Sequence, residues 1–178
     1  MAILALTFCT ADPKRVWAGG EKSILWRSDD VGQHFEAAGK PAKEGILTVL
    51  PDPRRADALI VVTENAAYGS ANAGETWQKL LSTACALARH PRQSDMLLAA
   101  AEGNIQVSTD SGRSWRKGPA IEGKPLQVSF DRKGPRAYIV TDMGLWRSDD
   151  EGRTWEKQAK KPARNCAGSS ARAPLVWA

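Results

Sequence analysis

The stretch Ser148-Asp149-Asp150-Glu151-Gly152-Arg153-Thr154-Trp155 decides the fold, because three similar stretches precede it at nearly regular intervals. The shared pattern is Ser-x-Asp-x-Gly-x-Thr-Trp. The earlier copies start at Ser28, Ser70 and Ser108, so successive starts are 42, 38 and 40 residues apart. A period of about 40 residues is typical of a repeat architecture, in which each repeat is one structural unit. We call each copy of the pattern a box.

Each box has a mechanical interpretation as a hydrogen-bonded turn. Its Ser and Asp oxygens can accept hydrogen bonds from backbone N–H groups, and its Gly can adopt a positive φ. Its aromatic residue is expected to start the next strand and to fill space between sheets. The second copy carries Asn72 where the others carry Asp, and the first ends in Phe35 instead of Trp. The predicted structural positions are Ser28, Asp30, Gly32, Ser70, Asn72, Gly74, Trp77, Ser108, Asp110, Gly112, Trp115, Ser148, Asp150, Gly152 and Trp155.

Short apolar runs between the boxes predict strands, and no segment shows the helical period. The first run of each unit is Ile3–Phe8, Ile46–Leu50, Ala84–Ala88 or Leu126–Phe130. Four strands in about 40 residues make one propeller blade. We therefore predict an all-β protein, a β-propeller of four-stranded antiparallel blades in a single domain, 1–178. The blades cover about 1–40, 41–81, 82–120 and 121–160, with a partial fifth blade over 161–178.

The boxes resemble those of the Asp-box (BNR) repeat β-propellers over residues 1–160. That family includes sialidases, sortilin-type receptors, xyloglucanase-like glycosidases and photosystem II assembly-factor-like proteins. The resemblance implies the fold and places the boxes away from any active face. It does not select one activity, because these propellers carry unrelated functions.

The segment 161–178 resembles the first half of another blade but holds no box. A partial blade leaves a strand edge unpaired, which favours pairing with another chain. Three explanations stay open: the propeller continues beyond Ala178, a partner chain or self-association covers the edge, or a small ring tolerates a short final blade.

An acidic residue stands six or seven positions before the Ser of every box. We expect these residues in the turns between second and third strands, on the face opposite the boxes, where they would ring one mouth of the channel. Such a ring would attract a cation or a basic partner segment. The alternative is that they only form acceptable hairpin turns. The predicted ligand-binding positions are Glu21, Glu64, Glu102 and Asp142.

The basic charge does not indicate nucleic acid. Residues 157–178 hold five basic residues and no acid, which accounts for the whole formal charge of +5. The segment lacks interleaved aromatics and any nucleic-acid-binding motif. No stretch is long enough for a membrane span, and no basic segment precedes the first apolar run, so we expect a cytoplasmic protein without a signal peptide.

Neither cysteines nor histidines form a recognisable site. Cys9, Cys85 and Cys166 have no zinc spacing, and we expect them at similar places on first strands as small buried residues. Only His34 and His90 are present, both in predicted turns, which argues against a catalytic triad. We expect no metal and no cofactor.

The favoured function is a non-catalytic propeller that binds a protein or another ligand through loops on one face. A sialidase would need an arginine cluster and a Tyr/Glu pair, and no Arg-Ile-Pro-type segment precedes the boxes. The alternative is a sialidase-like glycoside hydrolase domain, or a fragment of a longer propeller, with Glu64, Glu102 and Asp142 as the candidate carboxylates.

Overall fold

The computed structural model describes residues 2–83, 86–101 and 103–160. The predicted partial fifth blade, Glu102, Cys85 and Cys166 lie outside these residues. The described residues form four antiparallel sheets of four strands each, and each sheet keeps its strands in chain order.

The sheets follow one another along the chain. The first holds β1 (Ile3–Phe8), β2 (Val16–Gly20), β3 (Leu25–Ser28) and β4 (Glu36–Gly39), with a 3-10 turn at Glu21–Ser23. The second holds β5 (Ile46–Pro51), β6 (Leu59–Thr63), β7 (Ala67–Ser70) and β8 (Gln78–Leu81). The third holds β9 (Ala86–Arg89), β10 (Leu97–Ala101), β11 (Asn104–Ser108) and β12 (Arg116–Lys117). The fourth holds β13 (Pro125–Phe130), β14 (Ala137–Thr141), β15 (Gly144–Ser148) and β16 (Glu156–Lys160).

The predicted strands agree closely with these bounds, with one consistent difference at the boxes. The box aromatic does not start the fourth strand, since β8 begins at Gln78 and β16 at Glu156. The indole of Trp155 instead turns back over the box, and its Nε1 donates a hydrogen bond to the Gly152 carbonyl at 3.1 Å. That contact keeps the aromatic residue in the turn.

The second strand of each sheet lies in the middle of the core. Every residue of β2, β6 and β10 is buried, because neighbouring sheets and loops cover both faces of these blades. Three separate apolar clusters hold the blades together, one at each contact between consecutive blades. They centre on Trp17 and Val61, on Ile60 and Leu97, and on Leu98 and Ile139. The first strands of neighbouring blades also pack together, which places them at the inner side of the arc.

One backbone hydrogen bond closes the turn between first and second strands in every blade. It is donated by the N–H of Cys9, Asp52, His90 and Asp131 in turn, so these four positions are equivalent. His90 therefore occupies the place of Cys9 in the third blade, and the predicted place of Cys85 lies outside the described residues.

His90 replaces an aspartate as the acceptor in its turn. Asp52 Oδ1 accepts the Arg54 N–H at 2.9 Å, and His90 Nδ1 accepts those of Arg92 at 3.2 Å and Gln93 at 3.0 Å. The ring also meets Phe130 edge to face at 4.9 Å. Because Nδ1 accepts, the neutral ring carries its proton on the buried Nε2. Burial lowers the pKa of His90, only partly opposed by Glu151, and Arg92 lowers it further.

We expect the fold to lose stability on acidification through His90. The unfolded chain takes up a proton near pH 6.5, whereas the folded chain resists it, so stability is full above that pH and declines below it. The loss is at most about 1.4 kcal/mol per pH unit below 6.5. The variant His90→Asn keeps an acceptor for the N–H groups of the turn. Its free energy of unfolding in urea should therefore fall less between pH 7.5 and 5.5 than that of the parent chain. An equal decline in both proteins would contradict the assignment.

Candidate functional site

The antiparallel order of the strands gives every blade two ends with different loops. The turns between first and second strands and the boxes, which join third to fourth strands, lie at one end, the box face. The turns between second and third strands and the connections between blades lie at the other end. We call this the acid face, because the predicted acidic ring falls on it.

The box of the fourth blade shows how the turn is held. Ser148 Oγ donates to Asp150 Oδ1 at 2.8 Å and accepts the N–H of Gly152 at 2.8 Å and of Asp150 at 3.3 Å. Asp150 Oδ1 accepts the Thr154 N–H at 2.8 Å, and its Oδ2 accepts the Thr154 hydroxyl at 2.6 Å. Two side chains thus satisfy the N–H groups of a turn that has no strand partner.

The other boxes repeat this network with local substitutions. Asn72 accepts the Thr76 N–H at 3.0 Å through its amide oxygen, so the turn does not need a charge. In the first box His34 replaces Thr, and its Nδ1 lies 2.5 Å from Asp30 Oδ2. The hydrogen bond from the Ser114 hydroxyl, with those from the Ser114 N–H and Ser108, lowers the pKa of Asp110 to about 2. The box carboxylates are therefore ionised and engaged inside their turns.

Two features favour glycine in the boxes. Its φ lies between +86° and +94° in all four copies, a conformation that side chains oppose. In the second and third boxes the glycine also approaches the preceding blade: a Cβ on Gly112 would stand 3.0 Å from a methyl of Leu80, and one on Gly74 would stand 3.1 Å from the Ala38 carbonyl oxygen. The boxes thus link consecutive blades as well as closing hairpins.

We expect Ser108→Ala to destabilise the protein by about 1–3 kcal/mol. The hydroxyl is buried, and its loss leaves the N–H groups of Asp110 and Gly112 without their acceptor. Chemical denaturation at pH 7 measures the change. Ser111→Ala is the neighbouring control, because that hydroxyl is more exposed and bonds only Asp95. If Ser111→Ala lowers the free energy of unfolding as much as Ser108→Ala does, the interpretation of the box is wrong.

Val31 is a strained residue in the first box. The residue before the box glycine has φ between +55° and +62° in every copy, and only the first copy places a β-branched side chain there. The Val31 N–H donates to the Lys14 carbonyl at 2.9 Å, which holds the backbone in place. The side chain is 61% exposed, so little packing compensates the strain.

Val31→Asn should therefore stabilise the protein by about 1 kcal/mol, because Asn tolerates the left-handed region. Val31→Ile keeps the β-branch and should leave the stability near that of the parent chain. Thermal and urea unfolding of the three proteins give the comparison. If Val31→Asn is no more stable than Val31→Ile, the backbone at this position is not strained.

Ion pairs connect neighbouring blades at the box face, and no sequence pattern predicts them. Arg15 contacts Asp29 of its own blade at 2.7 Å and Asp57 of the next at 2.5 Å. Arg54 contacts Asp95 of the third blade at 2.7 Å. Gln93 Nε2 donates to Glu151 of the fourth at 3.1 Å. The only sequence signal was the density of Arg and Asp in these turns, which does not reveal pairing across 41 or 42 positions.

The acid face holds the described members of the predicted ring. Glu21 lies in the 3-10 turn after β2, Glu64 follows β6, and Asp142 lies between β14 and β15; all three are exposed. Glu21 Oε2 accepts the Ala2 N–H at 3.3 Å, and Asp142 Oδ1 accepts the Lys124 N–H at 2.7 Å. Glu64 makes no side-chain hydrogen bond or ion pair within the described part of the chain. The first, second and fourth blades therefore each present one exposed acid at this turn.

Lysines share this face with the acids. Lys22 follows Glu21 directly, Lys43 lies in the connection between the first two blades, and Lys124 in that before the fourth. Lys157 Nζ binds Glu122 Oε2 at 2.6 Å. The face is therefore mixed in charge, with acids at the strand turns and lysines in or beside the loops, rather than uniformly negative.

The tyrosines needed by a sialidase-like site are not at these turns. Tyr68 pairs with Val61 in the middle of the second blade and packs against the cluster between the first two blades. Tyr138 pairs with Arg147 near the other end of β14, away from Asp142. Residues 2–83, 86–101 and 103–160 contain no group of three metal-ligating side chains. In the same residues no helix has the length and apolarity needed to cross a bilayer.

Sequence comparison finds no relative: no family profile and no curated protein matches the chain. Similar solved structures do exist. An ancestral GH74 enzyme has a TM-score of 0.79 and 16% identity, over 88% of this chain and 24% of its own. YCF48 from Cyanidioschyzon merolae has a TM-score of 0.64 and 15% identity, over 91% of this chain and 57% of its own. A YCF48 structure with bound D1 peptide has a TM-score of 0.65 and 17% identity, over 87% of this chain and 53% of its own.

A fourth structure, the nidogen/laminin complex, has a TM-score of 0.70 and 13% identity, over 90% of this chain and 66% of its own. This chain therefore spans between 24% and 66% of the structures it resembles. These likenesses concern the fold, since all the identities are below 20%. Together with the four four-stranded antiparallel sheets, they show that the chain has the β-propeller fold.

Proposed function

We propose that the chain is a non-catalytic binding module that takes an extended basic peptide segment of a protein partner on its acid face. The observation that carries this proposal is the difference between the two faces. On the box face, carboxylates pair with arginines across blades, as in Arg15–Asp57 and Arg54–Asp95. On the acid face, the acids at the strand turns receive only backbone N–H groups or make no bond within the described residues.

The geometry suits an extended ligand. Glu21, Glu64 and Asp142 each occupy a short turn after a second strand, in the first, second and fourth blades, so these carboxylates are held in place at little entropic cost. Backbone N–H groups use single oxygens of Glu21 and Asp142, which leaves the second oxygen of each for a ligand donor. Peptide binding by a similar fold supports the proposal, since one of the similar YCF48 structures holds the D1 peptide.

Contacts on such an exposed surface are screened by water and salt, so we expect weak, salt-sensitive binding. The probe is a fluorescein-labelled ten-residue peptide of alternating Lys and Gly, with a Glu–Gly peptide as its counterpart. Fluorescence anisotropy should show binding of the basic peptide alone, weakening several-fold between 50 and 300 mM salt.

The triple variant Glu21→Gln/Glu64→Gln/Asp142→Asn should weaken that binding at least fivefold. The matched control neutralises Glu36, Glu75 and Glu156, which are exposed acids outside the acid face. Equal affinity of the triple variant and the parent chain, or an equal loss in the control, would overturn the proposal.

A glycoside hydrolase is the alternative, since a GH74 enzyme is among the similar structures. That chemistry needs two carboxyl groups about 5–9.5 Å apart, one on each side of the scissile bond. The candidate carboxylates Glu64 and Asp142 lie on different blades, and neither tyrosine lies beside them. Hydrolysis of fluorogenic glycosides by the parent chain would favour the enzyme if Glu64→Gln or Asp142→Asn abolishes it.

A further inference from the structure

The box face holds a cleft between the second and third blades whose lining is rich in arginine. Its volume is about 600 Å³. The turn between β5 and β6 contributes Arg54 and Arg55 to the cleft, and the box of the third blade contributes Arg113. All of the lining residues are polar or charged, so a ligand here is recognised by charge and hydrogen bonds rather than by apolar contact. All of them also lie in the described part of the chain, and each of the two blades packs on a described neighbour on its other side.

The turns between first and second strands show that the fold does not require arginine at these positions. In each of the first three blades, the N–H before the second strand bonds the carbonyl three residues earlier, which belongs to Asp12, Arg55 or Gln93. The residues that precede these are Ala11, Arg54 and Arg92. The first blade thus forms the same turn with an alanine and an acid in place of the two arginines of the second.

The boxes show the same freedom at the position of Arg113. The residue after the box glycine is, in chain order, Gln33, Glu75, Arg113 and Arg153. The contact between the first and second blades therefore has Ala11, Asp12 and Glu75 where the next contact has three arginines. Since one turn geometry carries either charge, the arginines of the cleft have a use other than building the turn.

A fourth arginine lies close to the cleft and is buried. Arg89 ends β9 at a position where the other blades carry Phe8, Pro51 and Phe130. Its side chain is only 10% exposed, and its Nη1 donates to the Ser94 carbonyl and lies 3.6 Å from Asp52 Oδ2. Its Nε has no hydrogen-bond partner among the described residues. Burial lowers the pKa of Arg89, but a guanidinium stays protonated in proteins, so a poorly screened positive charge remains beside the cleft.

Two aspartates hold the arginines of the second blade in place. Oδ2 of the buried Asp52 lies 3.3 Å from Arg55 Nη2. Asp95 Oδ2 accepts a hydrogen bond from Arg54 Nη2 at 2.7 Å, and its Oδ1 accepts one from the Ser111 hydroxyl at 2.7 Å. Because these contacts already order the guanidinium groups, a ligand loses less conformational entropy in ordering them.

The cleft keeps an excess of positive charge and of hydrogen-bond donors. The Arg113 guanidinium makes no hydrogen bond or ion pair with the described residues. Asp110, the other acid of the lining, accepts the hydroxyls of Ser108 and Ser114 inside its own box. Four guanidinium groups, the three of the cleft and that of Arg89, thus face three carboxylates. A guanidinium also has more N–H donors than one carboxylate contact uses, so donors remain for a ligand.

We propose that this cleft binds a small ligand with a diphosphate group, which Arg54 and Arg55 contact from the second blade and Arg113 from the third. Guanidinium forks match phosphate oxygens in pairs, and two linked phosphates offer such oxygens to both blades at once. The volume of the cleft is that of a small-molecule site rather than of a single ion. The buried charge of Arg89 strengthens the attraction without contacting the ligand. The acid face lies at the opposite end of the blades, so this inference stands apart from the proposed function.

Isothermal titration calorimetry of the 178-residue chain with pyrophosphate tests the proposal. Inorganic phosphate is the comparison, and potassium chloride keeps the ionic strength equal in both titrations. Pyrophosphate should bind about tenfold more tightly than phosphate, because it reaches arginines of both blades. Its binding should weaken as the salt concentration rises.

The variant Arg55→Gln/Arg113→Gln should weaken pyrophosphate binding about tenfold, with circular dichroism reporting an intact fold. The matched control is Arg92→Gln/Arg153→Gln, which removes the same charge from equivalent positions at the contact between the third and fourth blades. It should leave the affinity close to that of the parent chain.

A third variant, Arg55→Lys/Arg113→Lys, keeps the charge but removes the paired donors of the guanidinium, and its affinity should fall below that of the parent chain. The absence of pyrophosphate binding, equal affinities for phosphate and pyrophosphate, an equal loss in the matched control, or a lysine variant that binds as tightly as the parent chain would each overturn the proposal.

Discussion

The hydrogen-bonded box is the constraint on which the rest of this structure depends. A Ser hydroxyl and an Asp or Asn oxygen satisfy the N–H groups of a turn whose two central residues have positive φ. The turn therefore keeps one shape despite the changes in sequence around it. In the second, third and fourth blades the box glycine also contacts the preceding blade, so the same turn takes part in the packing between blades. The local hydrogen bonds and the packing between blades are thus specified by the same few residues.

Packing between blades explains why the second strands tolerate such different sequences. β2 reads Val-Trp-Ala-Gly-Gly and β10 reads Leu-Leu-Ala-Ala-Ala, yet all residues of both are buried. The large and small residues compensate across each contact: Gly19 makes room for Ile46 and Val49, to which a Cβ would come as near as 2.5 Å. Volume is conserved at the contact rather than at each position.

Much of the fold could be predicted from the boxes, and less of the site. The period located four blades, and the bounds Ile3–Phe8 were right to the residue. Apolar runs alone do not fix a register. The backbone hydrogen bond donated by the His90 N–H does, and it identifies that histidine as a substitute for a turn aspartate. Glu21, Glu64 and Asp142 do lie in turns after second strands, whereas the pattern that located them carries no information about the lysines on the same face.

The sequence by itself determined the repeat, the turn chemistry and the all-β fold, because those depend on contacts within about eight residues of the chain. Only the tertiary structure decided which polar groups are already paired, since Arg15 and Asp57 are 42 positions apart and meet only when two blades pack. It also decided which apolar strand residues are covered. Leu6 and Val128 occupy equivalent strand positions, yet they are 46% and 8% exposed, since Val128 packs in the cluster between the third and fourth blades.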